Sequence, residues 1–250
     1  MKAVEKPNLP EMVDTILIGE KYTELLENPL EKLGINAVPI PGNGYIDSRL
    51  SGHGDLSVLH MGGNILWLAP HLRESDFAGQ LRAMGFTLYY PDMSQSTTYP
   101  RDTQLNVCIC GKYAICNKSI VPTEIISNLT NAGFEIINCR QGYAKCSVCV
   151  VTEGAIITAD RGVEAVAREA GLDVLLIAPG YIALDGFDYG FIGGSSFKIS
   201  RGKLAFTGTL DAHPCKNDIL RFLKANEVEA VYLTKQPIFD IGSGIPIIEK

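Results

Sequence analysis

Short apolar runs and helix-period stretches follow one another in a fixed order along this chain. Residues 105–111 (LNVCICG) form an apolar run of strand length, Gly111 and Lys112 supply turn residues, and residues 113–117 (YAICN) form a second run. Together they predict a β-hairpin. Ile125, Ile126, Leu129 and Ala132 then recur at helical spacing behind Pro122 and Thr123, which predicts an amphipathic helix. Gly133 ends it, as glycine tolerates the left-handed geometry of a helix C-terminal cap. Residues 134–138 (FEIIN) read as a further strand. The unit is hairpin, helix, strand.

The same order recurs. Residues 145–151, a turn at Glu153-Gly154 and residues 155–159 predict the next hairpin, followed by a helix that Asp160 caps and that carries Val163, Val166 and Ala167. Residues 195–200 and 203–210 flank Arg201-Gly202, with a helix over 217–225 behind Asp211 and Pro214. An earlier copy has runs 56–61 and 64–69 around Gly62-Gly63 and a helix near 75–84. Every copy turns from its helix into a closing strand at Gly34, Gly85, Gly133, Gly171 or Asn226, a period near 50 residues. A repeat of this length sets the architecture before any motif does. The first copy is split: strand 15–19, its helix and strand 35–40 lie at the N-terminus, and residues 244–250 supply the missing strand. Pairing the two ends removes the exposed edges of an open array. A closed ring is therefore expected. A doubly wound Rossmann-type sheet is the rival, and it lacks a hairpin before each helix.

Composition narrows the function. The chain has 250 residues, 46% hydrophobic, and a formal net charge of −6, enough for a sizeable core in one domain spanning 1–250. Residues 1–12 are expected to be a loosely ordered leading segment. The acidic balance argues against nucleic acid as a partner. No apolar stretch is long enough to span a membrane, and no secretory signal is recognisable, so a cytoplasmic location is expected. The seven cysteines sit mostly in apolar runs and read as reduced, small core fillers.

The repeat order, together with residues 97–111 (TTYPRDTQLNVCICG), resembles the pentein α/β-propeller family, whose members modify guanidino groups, with a ribosome anti-association factor as a non-enzymatic member. The resemblance covers the chain from about Val13 to Lys250. It implies an α/β fold of five ββαβ blades, the first split between the termini. It also implies that Arg101 and Asp102 bind a small polar or cationic ligand, with Asp102 gripping a guanidinium, which is planar and suited to paired hydrogen bonds. The family uses a cysteine on the C-terminal closing strand and a histidine before a later strand. Here Ser243 stands at the first place, a hydroxyl far less nucleophilic than a thiolate, and Gly193, Gly194, Ser195 and Ser196 at the second. The family's usual reaction is therefore not expected.

The remaining polar cluster is His53-Gly54-Asp55, at the entrance to the second unit, where strand alternation would point His53 and Asp55 to one face. Counting back from the hairpin turns sets Cys146 level with Asp55, Gln104 and Gly194, and makes it the cysteine to test as a nucleophile. Cys146 and Cys149 lie three apart and should face opposite sides of a strand, so neither metal nor any cofactor is expected. His213 reads as part of a helix cap. Two functions stay open. One is an enzyme acting on a guanidino or related C–N compound through His53, Asp55 and Cys146. The other is a non-catalytic protein that binds a protein partner or a small ligand.

Overall fold

Five small sheets, each an antiparallel pair extended by a parallel strand, make up the computed structural model, which describes residues 1–250. The first opens with β1 (Lys2–Ala3), β2 (Val13–Gly19), α1 (Glu20–Glu31) and β3 (Asn36–Ile40). The second holds β4 (Val58–Gly62), β5 (Ile65–Leu68), α2 (Asp76–Ala83) and β6 (Thr87–Tyr89). The third holds β7 (Cys108–Cys110), β8 (Tyr113–Cys116), α3 (Thr123–Asn131) and β9 (Glu135–Asn138). A short helix, α4 (Ala144–Ser147), leads into β10 (Val148–Thr152), β11 (Ala155–Thr158), α5 (Arg161–Glu169) and β12 (Asp173–Leu176). The last sheet holds β13 (Ser196–Ser200), β14 (Lys203–Phe206), α6 (Lys216–Ala225) and β15 (Glu229–Tyr232). Then β16 (Ile245–Glu249) returns to the first sheet and lies between β1 and β2.

Five apolar clusters join these sheets in a closed cycle. Leu17 and Ile247 pack with Val58 and Leu66, and Leu59 and Trp67 with Ile109 and Ala114. Cys108 and Ile115 meet Val150 and Ile156, while Val151 and Ile157 meet Leu204 and Phe206. Phe197 and Ala205 return to Ile16 and Ile18. Neighbouring residues of one strand thus serve opposite interfaces, as period-two alternation dictates. That is why the strands read as continuous apolar runs: both faces are covered.

Several expectations need correction. Residues 1–12 are not loose. Residues Lys2 and Ala3 pair with β16, Val4 is fully buried, and its carbonyl accepts the Gly63 N–H at 2.9 Å. Asn8 Nδ2 donates to the Ile109 carbonyl at 2.9 Å, and Lys6 pairs with Glu153. The Glu11 N–H reaches Glu249 at 2.7 Å, and its carbonyl accepts from Arg201 at 3.0 Å. The segment crosses all five sheets as a strap because its backbone groups find partners there. The fifth helix cap also shifts by one residue. Asn226 stays at φ −97°, and Glu227 takes the left-handed geometry at φ 58°. Residues 145–147, expected in a strand, belong to α4. No helix is long and apolar enough to cross a membrane.

All seven cysteines are free, and all but Cys215 are buried. Burial pushes the thiols of Cys108 and Cys116 up to about 12, and those of Cys139 and Cys149 up to about 11. In the unfolded chain a thiol ionises near ~8.5. The unfolded state therefore sheds these protons first, and stability present below that pH falls as pH rises through it. Each such thiol should remove about 1.4 kcal/mol per pH unit above roughly pH 9. Urea midpoints measured from pH 8 to 10.5 should fall, and Cys108→Ala should flatten the slope. A slope unchanged in that variant would contradict this account.

Candidate active site

The first strands lie side by side where the sheets adjoin: β10 contacts β7 and β13, β13 contacts β16, and α4 contacts β7. The register shows which residues are equivalent. The β4–β5 hairpin pairs Gly62 with Ile65 and so turns at Gly63-Asn64, one residue later than the sequence count. Lys145, not Cys146, therefore stands level with Asp55. The pairing register sets Ser57, Asn106, Ser147, Ser195 and Ser243 at one equivalent position at the entrance of the first strands, all at most 1% exposed. This recurrent small polar position is visible in the sequence once the bulge in three of the hairpins is allowed for.

His53, Asp55 and Cys146 do converge. A nitrogen of His53, a carboxylate oxygen of Asp55 and the Cys146 sulfur all lie within 4.8 Å of one another, on residues that are 1–2% exposed. They meet for a different reason from the one expected. Asp55 sits in a 3₁₀ turn (Gly54–Leu56) behind His53, and Cys146 in α4, so strand alternation does not apply to them. The Cys146 thiol donates to Asp55 Oδ2 at 2.8 Å. Asn106 pins the pair: its Oδ1 accepts from the Lys145 and Cys146 amides at 2.7 and 3.2 Å. Its Nδ2 donates to the Asp55 carbonyl at 3.2 Å and to Cys146 Sγ at 3.3 Å. Asp55 Oδ1 and His53 Nε2 have no protein partner.

Two further side chains complete the cluster. Asp240 Oδ1 lies 3.8 Å from His53 Nδ1, and its two oxygens accept the N–H groups of Gly242 and Phe191 at 2.9 and 2.8 Å. A Cβ on Gly194 would stand 2.0 Å from Asp240 Oδ1. Gly194 thus makes room for this carboxylate, whereas Gly193 makes room for the backbone carbonyls of Lys145 and Val148. Lys145 Nζ donates to Ser243 Oγ at 2.8 Å. Sequence reasoning missed Asn106 and Lys145 as site residues, since each acts across two blades whose approach only the closed ring reveals.

Electrostatics follow from dryness. Burial pushes the Cys146 thiol well above its ordinary value, and the carboxylates of Asp55 and Asp240 add to this. Burial also raises Asp55, opposed by the charges of His53 and Lys145. Both effects disfavour an anion out of water. The neutral thiol facing Asp55 is the resting arrangement.

Arg101 and Asp102 part company. Arg101 is exposed, whereas Asp102 is 2% exposed and accepts the Tyr143 hydroxyl on Oδ2, leaving Oδ1 without a partner. Burial raises its carboxyl. Tyr143 is flanked by Tyr99 and Phe191, with ring centroids 5.8 and 6.0 Å away. Together with Leu184 it packs on Ile46, Leu50 and Leu56, the last of them next to Asp55 in sequence. His213 Nδ1 accepts the Cys215 N–H at 3.1 Å ahead of α6, a capping role away from this cluster.

Residues 17–245 match the model of a family of unknown function, DUF6873. The chain belongs to that family. No curated protein matches it. Among solved structures it is similar to the inosamine-phosphate amidinotransferase of Streptomyces griseus, with TM-score 0.61 and 11% identity over 99% of this chain and 97% of that one. An amidinotransferase from Microseira wollei in the saxitoxin biosynthetic pathway gives 0.58 and 11%, over 95% and 96%. DDAH from Pseudomonas aeruginosa gives 0.57 and 9%, over 95% and 100%. At these identities the likeness is one of fold, and the fold is that of the pentein family.

Asn106→Ala should cost about 2–4 kcal/mol, because it strands the buried amides of Lys145 and Cys146 and the Asp55 carbonyl. Urea unfolding measures this, and a cost below about 0.5 kcal/mol would show that Asn106 is not the pin described.

Proposed function

We propose that this DUF6873 member is an enzyme in which Cys146 attacks the carbon of a guanidino or related C–N compound. The observation that carries the reading is the 2.8 Å thiol–carboxylate contact between Cys146 and Asp55, with His53 beside it in a dry site. A nucleophile needs a base within hydrogen-bond reach and a group that serves the leaving atom. Asp55 takes the thiol proton as Sγ bonds to carbon. His53, with Nε2 free of protein partners, protonates the departing nitrogen and then takes a proton from the water or amine that releases the product. The pentein neighbours named amidinotransferases support C–N chemistry as the class. The nucleophile has moved from the closing strand, where Ser243 stands, to the fourth blade.

A second reading, a protein that binds a partner or small ligand without turnover, draws on one observation: Cys146, Asp55 and His53 are all at least 98% buried. The catalytic reading requires the residues around them to open.

A panel of guanidines, ureides and amides assayed for ammonia and amine release separates the two. We expect turnover on at least one member, a loss of about 10³-fold or more in Cys146→Ala, and a loss of about 10²-fold in Asp55→Asn. Turnover that survives Cys146→Ala would rule out this nucleophile. No turnover on any member would leave the binding reading.

A further inference from the structure

We propose that the group attacked by Cys146 is a neutral carbonyl, that of an amide or ureide, and that Lys145 holds its oxygen. This rests on the reading of Cys146 as the nucleophile and names its substrate class.

Lys145 is a buried cation that the thiol chemistry above does not use. It is 7% exposed and stands level with Asp55. Its Nζ makes one hydrogen bond, to Ser243 Oγ at 2.8 Å, out of the three an ammonium can donate. Ser243 forms a rigid socket. It is fully buried, held at φ 64°, and its hydroxyl donates in turn to the Ser196 carbonyl at 3.1 Å. A left-handed serine is a costly backbone state that persists only where its surroundings require it. Lys145 directly precedes Cys146 on α4, and its charge acts on Asp55, which accepts the Cys146 thiol at 2.8 Å.

Charge decides between the substrate classes. The Asp240 carboxylate is already satisfied by two backbone amides. Asp55 is left facing Lys145 and His53, whose charges oppose the upward push that burial gives its carboxyl. The site thus holds its own counter-cation. A guanidinium would bring a second positive charge against the ammonium, and like charges in a dry site repel strongly. A neutral carbonyl brings none. When sulfur adds to it, the C=O electron pair moves onto oxygen, and a fixed N–H donor stabilises that developing charge.

The step balances with groups present. Asp55 receives the thiol proton, the S–C bond forms, and the tetrahedral oxyanion lies on Lys145. Its collapse breaks the C–N bond and the amine leaves with a proton from His53. Water, deprotonated by His53, then cleaves the thioester or thiocarbamate, and Asp55 returns its proton to sulfur.

The test uses two electrophiles of equal size: 2-chloroacetamide, neutral with a carbonyl, and its amidinium isostere 2-chloroacetamidine. Rates of Cys146 alkylation are read by peptide mapping and normalised to glutathione. The native protein should favour the amide by about tenfold or more over the glutathione ratio. Lys145→Met should abolish that preference and Lys145→Arg should keep most of it. Ser243→Ala, which removes the socket and keeps the charge, should give an intermediate ratio and serves if Lys145→Met fails to fold. Preference for the amidine in the native protein, or a ratio unmoved in the Lys145 and Ser243 variants, would overturn the proposal while Cys146 remained the nucleophile. Labelling of Cys146 by neither reagent would overturn the nucleophile reading and this inference with it.

Discussion

Closure of the ring is the constraint on which everything else rests. The C-terminal strand lies between β1 and β2, so the first blade is complete only when both ends of the chain meet. That pairing buries Ile245 and Ile247 against the second blade and leaves no first-strand entrance at an open edge. The chemistry-bearing residues come from blades far apart in sequence, with 91 residues separating Asp55 from Cys146 and 98 separating Lys145 from Ser243. No local segment could assemble this cluster alone.

Burial then sets its character. A thiol and a carboxylate in water would ionise independently. Out of water each resists carrying charge, and they share a proton instead. Asn106 makes this tolerable by satisfying two backbone amides and touching the sulfur. Pre-organised polar groups in such surroundings act more strongly than they would in water.

Much of the fold was legible because the repeat is carried by local signals. Gly34, Gly85, Gly133 and Gly171 all take positive φ, and Asp160 caps α5 by accepting the Val163 N–H at 2.9 Å, as the pattern predicts. Misreadings arose where tertiary contacts override local preference. Asn226 looks like the better left-handed residue, yet Glu227 adopts that geometry. The strap of residues 1–12 has little periodicity and is ordered only by partners on five blades. At the site, His53, Asp55 and Cys146 do lie together, although His53 precedes and Asp55 lies in a 3₁₀ turn, where strand alternation does not apply, and Cys146 lies on α4. Lys145 escaped notice because a single miscounted turn residue set Cys146 in its place. Ser243 was dismissed as an unactivated hydroxyl, and its role as a socket for an ammonium depends on a neighbour in another blade.

The central claim is that Cys146 is the atom that bonds to substrate carbon. Acid-quenched protein taken during turnover of an amide or ureide, digested and analysed by mass spectrometry, tests it most directly. The account predicts an acyl or carbamoyl adduct on the peptide containing Cys146, absent in Cys146→Ala. An adduct on Ser243, or turnover with no covalent adduct on any residue, would contradict it.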